Sequence, residues 1–397
     1  MNDISRREFL EFMGRSALWS SALVSSIGCG HLGKSAQVTA PTHPKLPFIP
    51  LAPTRQDELV LSQGFAYHVV LKWGQSLNEK GDRFGFNNDY LAYIPLDPKN
   101  PLEGLLWVNH ESHDPYFVSG WRPNNPRTPA QIAMERKSVG GSINHVISKQ
   151  GHWELVNNSK YNRRLDAFSE IPLISDRPIM NSRVAIGTFG NCAGGITPWG
   201  TILTCEENYQ NFIGEVSFDT QGKRHITEGE HHLSWLPHVN LPPEHYGWVV
   251  EVNLRTAQAK KLTALGRFAH ECATTRLAPD GRTVVYSGDD TDQEHLYKFI
   301  ASKPGSLDKG ELFVANLQSG RWLSLDRNKD PRLKNAFKDQ TELLIRTREA
   351  AKIVGATPLN RPEDVEIDPH TGALIVSLTM SKKTGDLFGS LLKIVEK

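Results

Sequence analysis

Asn191-Cys-Ala-Gly-Gly-Ile-Thr-Pro-Trp-Gly-Thr-Ile-Leu-Thr-Cys-Glu-Glu-Asn208 is the stretch on which the fold turns. A polar, metal-capable end at Asn191-Cys192 leads into a short run. Pro198-Trp199-Gly200 reverses the chain, and residues 201–205 run back to a second polar end at Glu206-Glu207. A strand, a turn and a returning strand bring both polar ends to the same edge of a sheet. Three weaker copies follow the same order of Gly turn, strand and polar cluster. They are Gly104-Leu-Leu-Trp-Val-Asn-His110-Glu111, Gly281-Arg-Thr-Val-Val-Tyr-Ser-Gly-Asp289-Asp290 and Gly372-Ala-Leu-Ile-Val-Ser-Leu-Thr379. Cys192, Glu271 and Glu363 stand eight to ten positions ahead of their glycines.

Outward from this unit, strand-like runs recur at 65–72, 105–109, 152–156, 247–253, 296–300 and 312–314. Helical periodicity is scarce: 339–353 is the best candidate and 127–135 a weaker one. Many short strands without alternating helices indicate a sandwich, barrel or propeller. Radial repetition of the hairpins would gather their polar ends around one axis, which selects the propeller. Roughly 340 residues at just under 60 per four-stranded blade predict six blades. The expected fold is therefore all-β, a six-bladed β-propeller with short helical insertions and a metal cluster in the central channel.

Composition sets the outer limits. The 397 residues are 39% hydrophobic and 22% charged, with 16 Phe, 9 Tyr and 9 Trp, enough to bury a large core and exclude wholesale disorder. A formal charge of +1 leaves no field that would draw nucleic acid, and the chain reads as a monomer acting on small molecules. Four cysteines, none in CxxC spacing, exclude a zinc ribbon and a disulfide scaffold. Ser5-Arg6-Arg7-Glu8-Phe9-Leu10, ahead of a weakly apolar stretch, reads as a twin-arginine export signal over residues 1–29. Ser26-Ile27-Gly28-Cys29 resembles a lipobox, and lipidation at Cys29 and soluble release by cleavage before Pro41 stand as even alternatives. The expected location is periplasmic or extracellular. Residues 30–57 read as a linker and 58–397 as one catalytic domain.

The polar ends are Asn109-His110-Glu111, Asn191-Cys192, Glu206-Glu207-Asn208, His270-Glu271, Asp289-Asp290 and Arg361-Pro362-Glu363-Asp364. Several carboxylates aimed at one edge repel one another unless cations sit between them. Carboxylate oxygens suit Ca²⁺, Mg²⁺ or Mn²⁺, whereas a thiolate calls for a softer or more highly charged transition metal. The set therefore predicts a mixed cation cluster. Gly190-Asn-Cys-Ala-Gly194 has the spacing of a nucleophile elbow, but Pro198 and Gly200 follow where that motif needs a long helix, so the elbow is rejected. Cys205 and Cys272 lie in or beside apolar runs and read as buried fillers. His231-His232, His238 and His245 read as ordinary loop histidines among prolines.

These linked segments resemble the PhoX family of secreted alkaline phosphatases. The resemblance is carried by residues 191–208, Gly266-Arg-Phe-Ala-His-Glu271, Tyr286-Ser-Gly-Asp-Asp290 with His295-Leu-Tyr-Lys-Phe299, and Arg361-Pro-Glu-Asp-Val-Glu366. It runs from about Asp89 to the carboxyl terminus, and the twin-arginine signal fits it. It implies a propeller channel holding Fe³⁺ and Ca²⁺, and hydrolysis of phosphate esters by in-line attack at phosphorus. By motif position it assigns Cys192 as a thiolate ligand of iron. It makes Glu206, Glu207, Glu271, Asp290 and Glu363 carboxylate ligands, and Glu111 a further calcium ligand. Arg361 becomes the phosphate-binding residue, with Arg361 and Glu363 in the catalytic role. Two other readings fit the residues alone. One is a calcium-dependent propeller lactonase or esterase, in which a thiolate has no role. The other is a non-catalytic propeller whose cations are structural.

Overall fold

The computed structural model describes residues 48–396 except Asn124, Thr220, Glu230 and His231. The expected export signal over residues 1–29, with Cys29, and His231 lie outside the described residues. The chain divides into two units, Met1–Tyr67 and His68–Lys397. In the first, residues 48–67 carry no strand or helix. The Ser62 hydroxyl donates to the Ile49 carbonyl at 2.8 Å, and Phe48 meets Phe65 edge to face at 6.0 Å. The strand expected at 65–72 does not form, and Phe65, Tyr67 and Val69 are exposed.

The second unit is all-β and propeller-like. Its first sheet orders Asn88–Asp97, Asn100–His110, Gly140–Lys149 and His152–Leu155, with Arg163–Leu165 also against the third of these. The second runs Val184–Ile186, Glu170–Ile174, Ala259–Leu262, Val249–Val252, Ile202–Glu206 and Asn191–Ile196. In it, Glu170–Ile174 and Ala259–Leu262 run parallel. The third orders Thr274–Leu277, Thr283–Gly288, Leu296–Lys303, Ser306–Asn316 and Arg321–Ser324. The fourth has Pro362–Ile367, Leu374–Leu378 and Ser390–Ile394.

One edge strand of each sheet, at 88–97, 191–196, 274–277 and 362–367, neighbours its counterpart in the next sheet. Two glycines permit the approach. A Cβ at Gly195 would collide with the Ala273 carbonyl of the third sheet, and one at Gly288 with the Pro362 carbonyl of the fourth. Tyr90, on the first sheet, lies against Gly194 of the second, where a Cβ would meet its ring. Burial pushes its phenol up to about 12, and Cys205, with Glu366 and Asp364 on the fourth sheet, adds to the shift.

Strand alternation between two packed faces explains why the returning strands at 202–206 and 283–288 are buried throughout. Ile202 faces Leu105, Trp107, Val250 and Val252 between the first and second sheets. Its neighbour Leu203 faces Val249, Val285, Phe299 and Val314 between the second and third. Val284 likewise points to Val365, Leu374 and Val376 in the fourth sheet, while Val285 points back to the second. A strand buried on both faces has no solvent side and reads as a continuous run. Each such Val, Leu or Ile is worth about 1.5–3 kcal/mol of burial.

Four sheets of this kind form among the described residues, where the length arithmetic counted six. That arithmetic spread the chain evenly over blades. Instead, the segments after Glu111, Glu207 and Ser324 are spent on helices, loops and the hairpin of Glu215–Phe218 with Arg224–Thr227. The helix expected at 127–135 is Pro129–Ser138, capped by a Thr128–Gln131 box. The one expected at 339–353 is two helices, Gln340–Ile345 and Thr347–Val354, broken where Arg346 leaves helical geometry at φ −108° and ψ 40°. No described helix is long and apolar enough to cross a membrane.

Candidate metal centre

All four inner hairpins end in the same local device. Their terminal pairs are Asn88 with His110, Asn191 with Glu206, His270 with Asp289, and Pro362 with Leu378. Immediately inside each pair the inner strand carries one extra residue relative to its partner. The register slips between Asn88 and Leu91, between Asn191 and Gly194, and between Pro362 and Val365. The same offset separates the His270–Asp289 bridge from the Thr274–Tyr286 pair. A bulge re-aims the side chain it contains. The residues re-aimed here are Asp89, Cys192, Glu271 and Glu363. The residues just beyond the returning strands are Glu111, Glu207, Asp290 and Thr379.

Backbone hydrogen bonds lock these ends together. Glu111 donates to Asn87 O at 3.0 Å, and Gly190 to Glu111 O at 3.2 Å. Ala193 donates to Glu271 O at 3.1 Å, Glu271 to Gly288 O at 3.2 Å, and Asp290 to Ala269 O at 3.0 Å. The Asn109 amide adds a side-chain link, donating to the carbonyls of Cys192 and Ala193 while accepting from Trp107 Nε1 and Thr204 Oγ1.

Two overlapping triads result. Donor atoms of Glu111, Cys192 and Glu207 lie within 4.8 Å of one another, as do those of Glu207, Glu271 and Asp290. Cys192 Sγ is 3.1 Å from Glu271 Oε1 and 3.7 Å from Asp89 Oδ2. Arg361 Nη2 sits 2.7 Å from Asp290 Oδ2 and 3.1 Å from Glu363 Oε1. Asp290 Oδ1 is buried without a hydrogen-bond partner among the described residues. Arg361 has φ 45°, a left-handed conformation that a residue other than glycine rarely adopts, which marks a position held by its surroundings.

The electrostatics fit a cation. Burial pushes Glu207 up to about 11, with the charges of Glu271, Asp290 and Glu111 adding to it. Glu271 rises to about 8, again from burial, with Asp290, Glu363 and Asp89 adding and the Cys192 hydrogen bond opposing. Glu111, Asp89 and Glu363 are raised mainly by burial, and the Cys192 thiol is raised by burial and by four neighbouring carboxylates. Such a set ionises together only when multivalent positive charge lies among its members. An unpartnered carboxylate oxygen and crowded acid groups make Glu111, Cys192, Glu207, Glu271 and Asp290 fit as ligands, with Asp89 and Glu363 at the edge.

Glu206 is not brought to this cluster. The strand alternates, so its side chain faces opposite to that of Glu207. Its oxygens accept from Lys261 Nζ at 2.6 Å and from the amides of Gly247 and Trp248 at 3.1 and 3.2 Å, with both charged side chains fully buried. His270 and Asp289 are similarly occupied. His270 binds Ser287 Oγ and Gly266 O, and burial holds it down to about 3. Asp289 takes both ends of the Arg348 guanidinium. Cys205 and Cys272 are buried in the core. His245 donates to or accepts from no cluster residue and instead meets Ile179 O at 2.9 Å.

Spacing in the sequence does not point to Asp89. It occupies the place in the first hairpin that Cys192, Glu271 and Glu363 occupy in the others. That hairpin is longer, however, so Asp89 stands fifteen positions ahead of Gly104 rather than eight to ten.

The family model described as alkaline phosphatase PhoX matches residues 46–393. Among solved structures, Pseudomonas fluorescens PhoX in complex with vanadate, a transition state analogue, is similar at 30% identity and a TM-score of 0.72. The match covers 86% of this chain and 70% of that one. A protein of unknown function from Dyadobacter fermentans aligns at 12% identity with a TM-score of 0.22, too low to bear on the fold. No curated protein sequence matches.

Proposed function

The chain belongs to the PhoX family of alkaline phosphatases and is a phosphoric ester hydrolase, and from this premise we propose that the two triads are its catalytic metal centre. Cys192 suits a transition metal, Fe³⁺ by family resemblance, and the carboxylates of Glu111, Glu207, Glu271 and Asp290 suit Ca²⁺ beside it. Glu363 completes the donor set, and Asp89 supports it from beside Cys192. The bound ions would supply Lewis-acid stabilisation of the phosphoryl oxygens. The vanadate held by the Pseudomonas fluorescens protein supports a site built for a phosphoryl group in transit.

The protein's own contribution is positioning. Arg361 is the cation of the cluster's rim, partly exposed and fixed by Asp290 and Glu363, so its free guanidinium donors can meet two phosphoryl oxygens. Glu363 orients it at 3.1 Å, which gives Glu363 its part in the catalytic pair. The observation that carries this reading is the sharing of Glu207 between both triads, since one carboxylate then ties the thiolate group to the group that seats Arg361. Export by the twin-arginine route to the periplasm or beyond belongs to the same proposal and rests on Ser5-Arg6-Arg7-Glu8-Phe9-Leu10 and the weakly apolar stretch after it.

The experiment is elemental analysis of protein purified through its native export route, beside a hydrolysis assay on phosphate esters. Iron with calcium and turnover is expected. Calcium alone would favour the lactonase reading, and bound metal with no ester turnover the non-catalytic one.

A further inference from the structure

Three aromatic rings from separate segments form a ladder next to the chain that carries the metal centre. Trp73 meets Phe86 edge to face at 5.0 Å, and Phe86 lies nearly parallel to Phe117 at 6.4 Å and 22°. The rings are not core. Phe117 is 70% exposed and Trp73 49%. Nor are they loosely hung. The Phe86 amide donates to Ser138 O at 3.0 Å, and Gly85 leaves no room for a Cβ against Arg164 and His110. Phe117 sits on the helix Pro115–Val118, whose first turn is capped by Asp114. Gly74 bonds Phe84 O at 2.9 Å and fixes Trp73 beside it.

The ladder is continuous with the site through Asn87. Its carbonyl accepts the Glu111 amide, and its side chain accepts the Ser112 amide. Phe86 precedes it directly, and Asp89 follows two residues later. Three residues of chain reach at most about 11 Å, so the Phe86 backbone lies within that distance of Asp89. A phosphate ester seated at the Asp89 side of the cluster would direct its organic group outward past this rim. Exposed rings held in place at low entropic cost suit a flat apolar group better than a small hydroxylated one.

We propose that Trp73, Phe86 and Phe117 form a leaving-group platform that favours aromatic phosphate esters over small polar ones. The inference rests on the phosphatase reading above. The test compares phenyl phosphate with glycerol 3-phosphate on the metal-loaded enzyme, for the wild type, Phe117→Ala, Phe117→Leu and Trp73→Ala. The ratio of kcat/KM for phenyl phosphate to that for glycerol 3-phosphate should fall about three- to tenfold in the alanine variants, the range of an aromatic contact. KM for the aryl ester should carry most of the change. Phe117→Leu should fall between wild type and Phe117→Ala. An unchanged ratio, whether both esters hold steady or decline together, would overturn the platform while leaving the phosphatase intact. A wild type that hydrolyses neither ester, with its metals bound, would instead sink the phosphatase reading and the platform with it.

Discussion

Glu206 and Glu207 are adjacent, both acidic and both buried, yet they belong to two different regions of the molecule. Glu206 belongs to a row of polar groups between the sheets, with His110, His270 and Asp289. Each of these is satisfied by fixed partners such as Lys261, Ser142, Ser287 and Arg348. Glu207 belongs to the acidic cluster with Glu111, Cys192, Glu271 and Asp290, where acids face acids. One residue of strand phase separates a buried ion pair from the proposed cation site. Carboxylates in both rows are pushed up by burial, so a perturbed acid alone does not mark function. What distinguishes the rows is that Glu206 and Asp289 each hold a cation of the chain, Lys261 and Arg348, whereas Arg361 reaches only Asp290 and Glu363 at one side of the cluster.

That contrast can be broken by exchanging what each row needs. The largest effect is expected at Glu207, which serves both triads. Glu207→Gln should lower kcat/KM for phosphate esters by about three orders of magnitude and release metal, read by elemental analysis on the same sample. Cys192→Ser should cost less calcium than iron, because a hydroxyl replaces the soft anionic donor while the carboxylates stay in place. Retention of iron together with turnover in that variant would remove Cys192 from the centre.

Glu206→Gln should show the opposite profile. It strands the Lys261 ammonium in the core, at a cost of about 3–5 kcal/mol in denaturant unfolding. Metal content and turnover per folded molecule should stay near those of the wild type. Metal loss in Glu206→Gln at temperatures where it remains folded would erase the distinction between the rows.

Arg361→Lys should cost about 1.5–3 kcal/mol in transition-state binding, since the charge survives and the planar fork does not. Its metal content should be normal. The smallest effect is expected at Asp89, which contacts the cluster through Cys192. Asp89→Asn should lower turnover about tenfold, in the range of an outer partner of a metal ligand. An Asp89→Asn enzyme with unaltered kinetics and metal content would confine Asp89 to the rim.

Much of this arrangement is legible in the amino-acid sequence. Gly200, Gly281 and Gly372 mark turns, whereas Gly104 lies inside the strand Asn100–His110 and its hairpin turns at residues 98–99; the polar clusters mark one edge, because they follow from strand length. The phase at that edge is not legible. Glu206-Glu207 and Asp289-Asp290 are acidic pairs in which either member could face the axis, and the bulges that decide between them leave no residue signature. Asp89 is hidden by a hairpin longer than its counterparts. The break at Arg346 is hidden because 339–353 is periodic across it. Blade number was beyond reach for a related reason: length does not say how much chain is spent outside the sheets.

The central claim is that the acidic cluster holds the cations on which both catalysis and the fold depend. Its most direct test is a chelator titration of the purified protein, with thermal unfolding and phosphate-ester hydrolysis followed on the same samples. Bound cations stabilise the native state by mass action, and their removal leaves the carboxylates of Glu111, Glu207, Glu271 and Asp290 facing one another. The melting temperature and the hydrolysis rate should fall together, and both should return when iron and calcium are restored. Hydrolysis that survives complete metal removal, or activity lost with an unchanged melting curve, would contradict it.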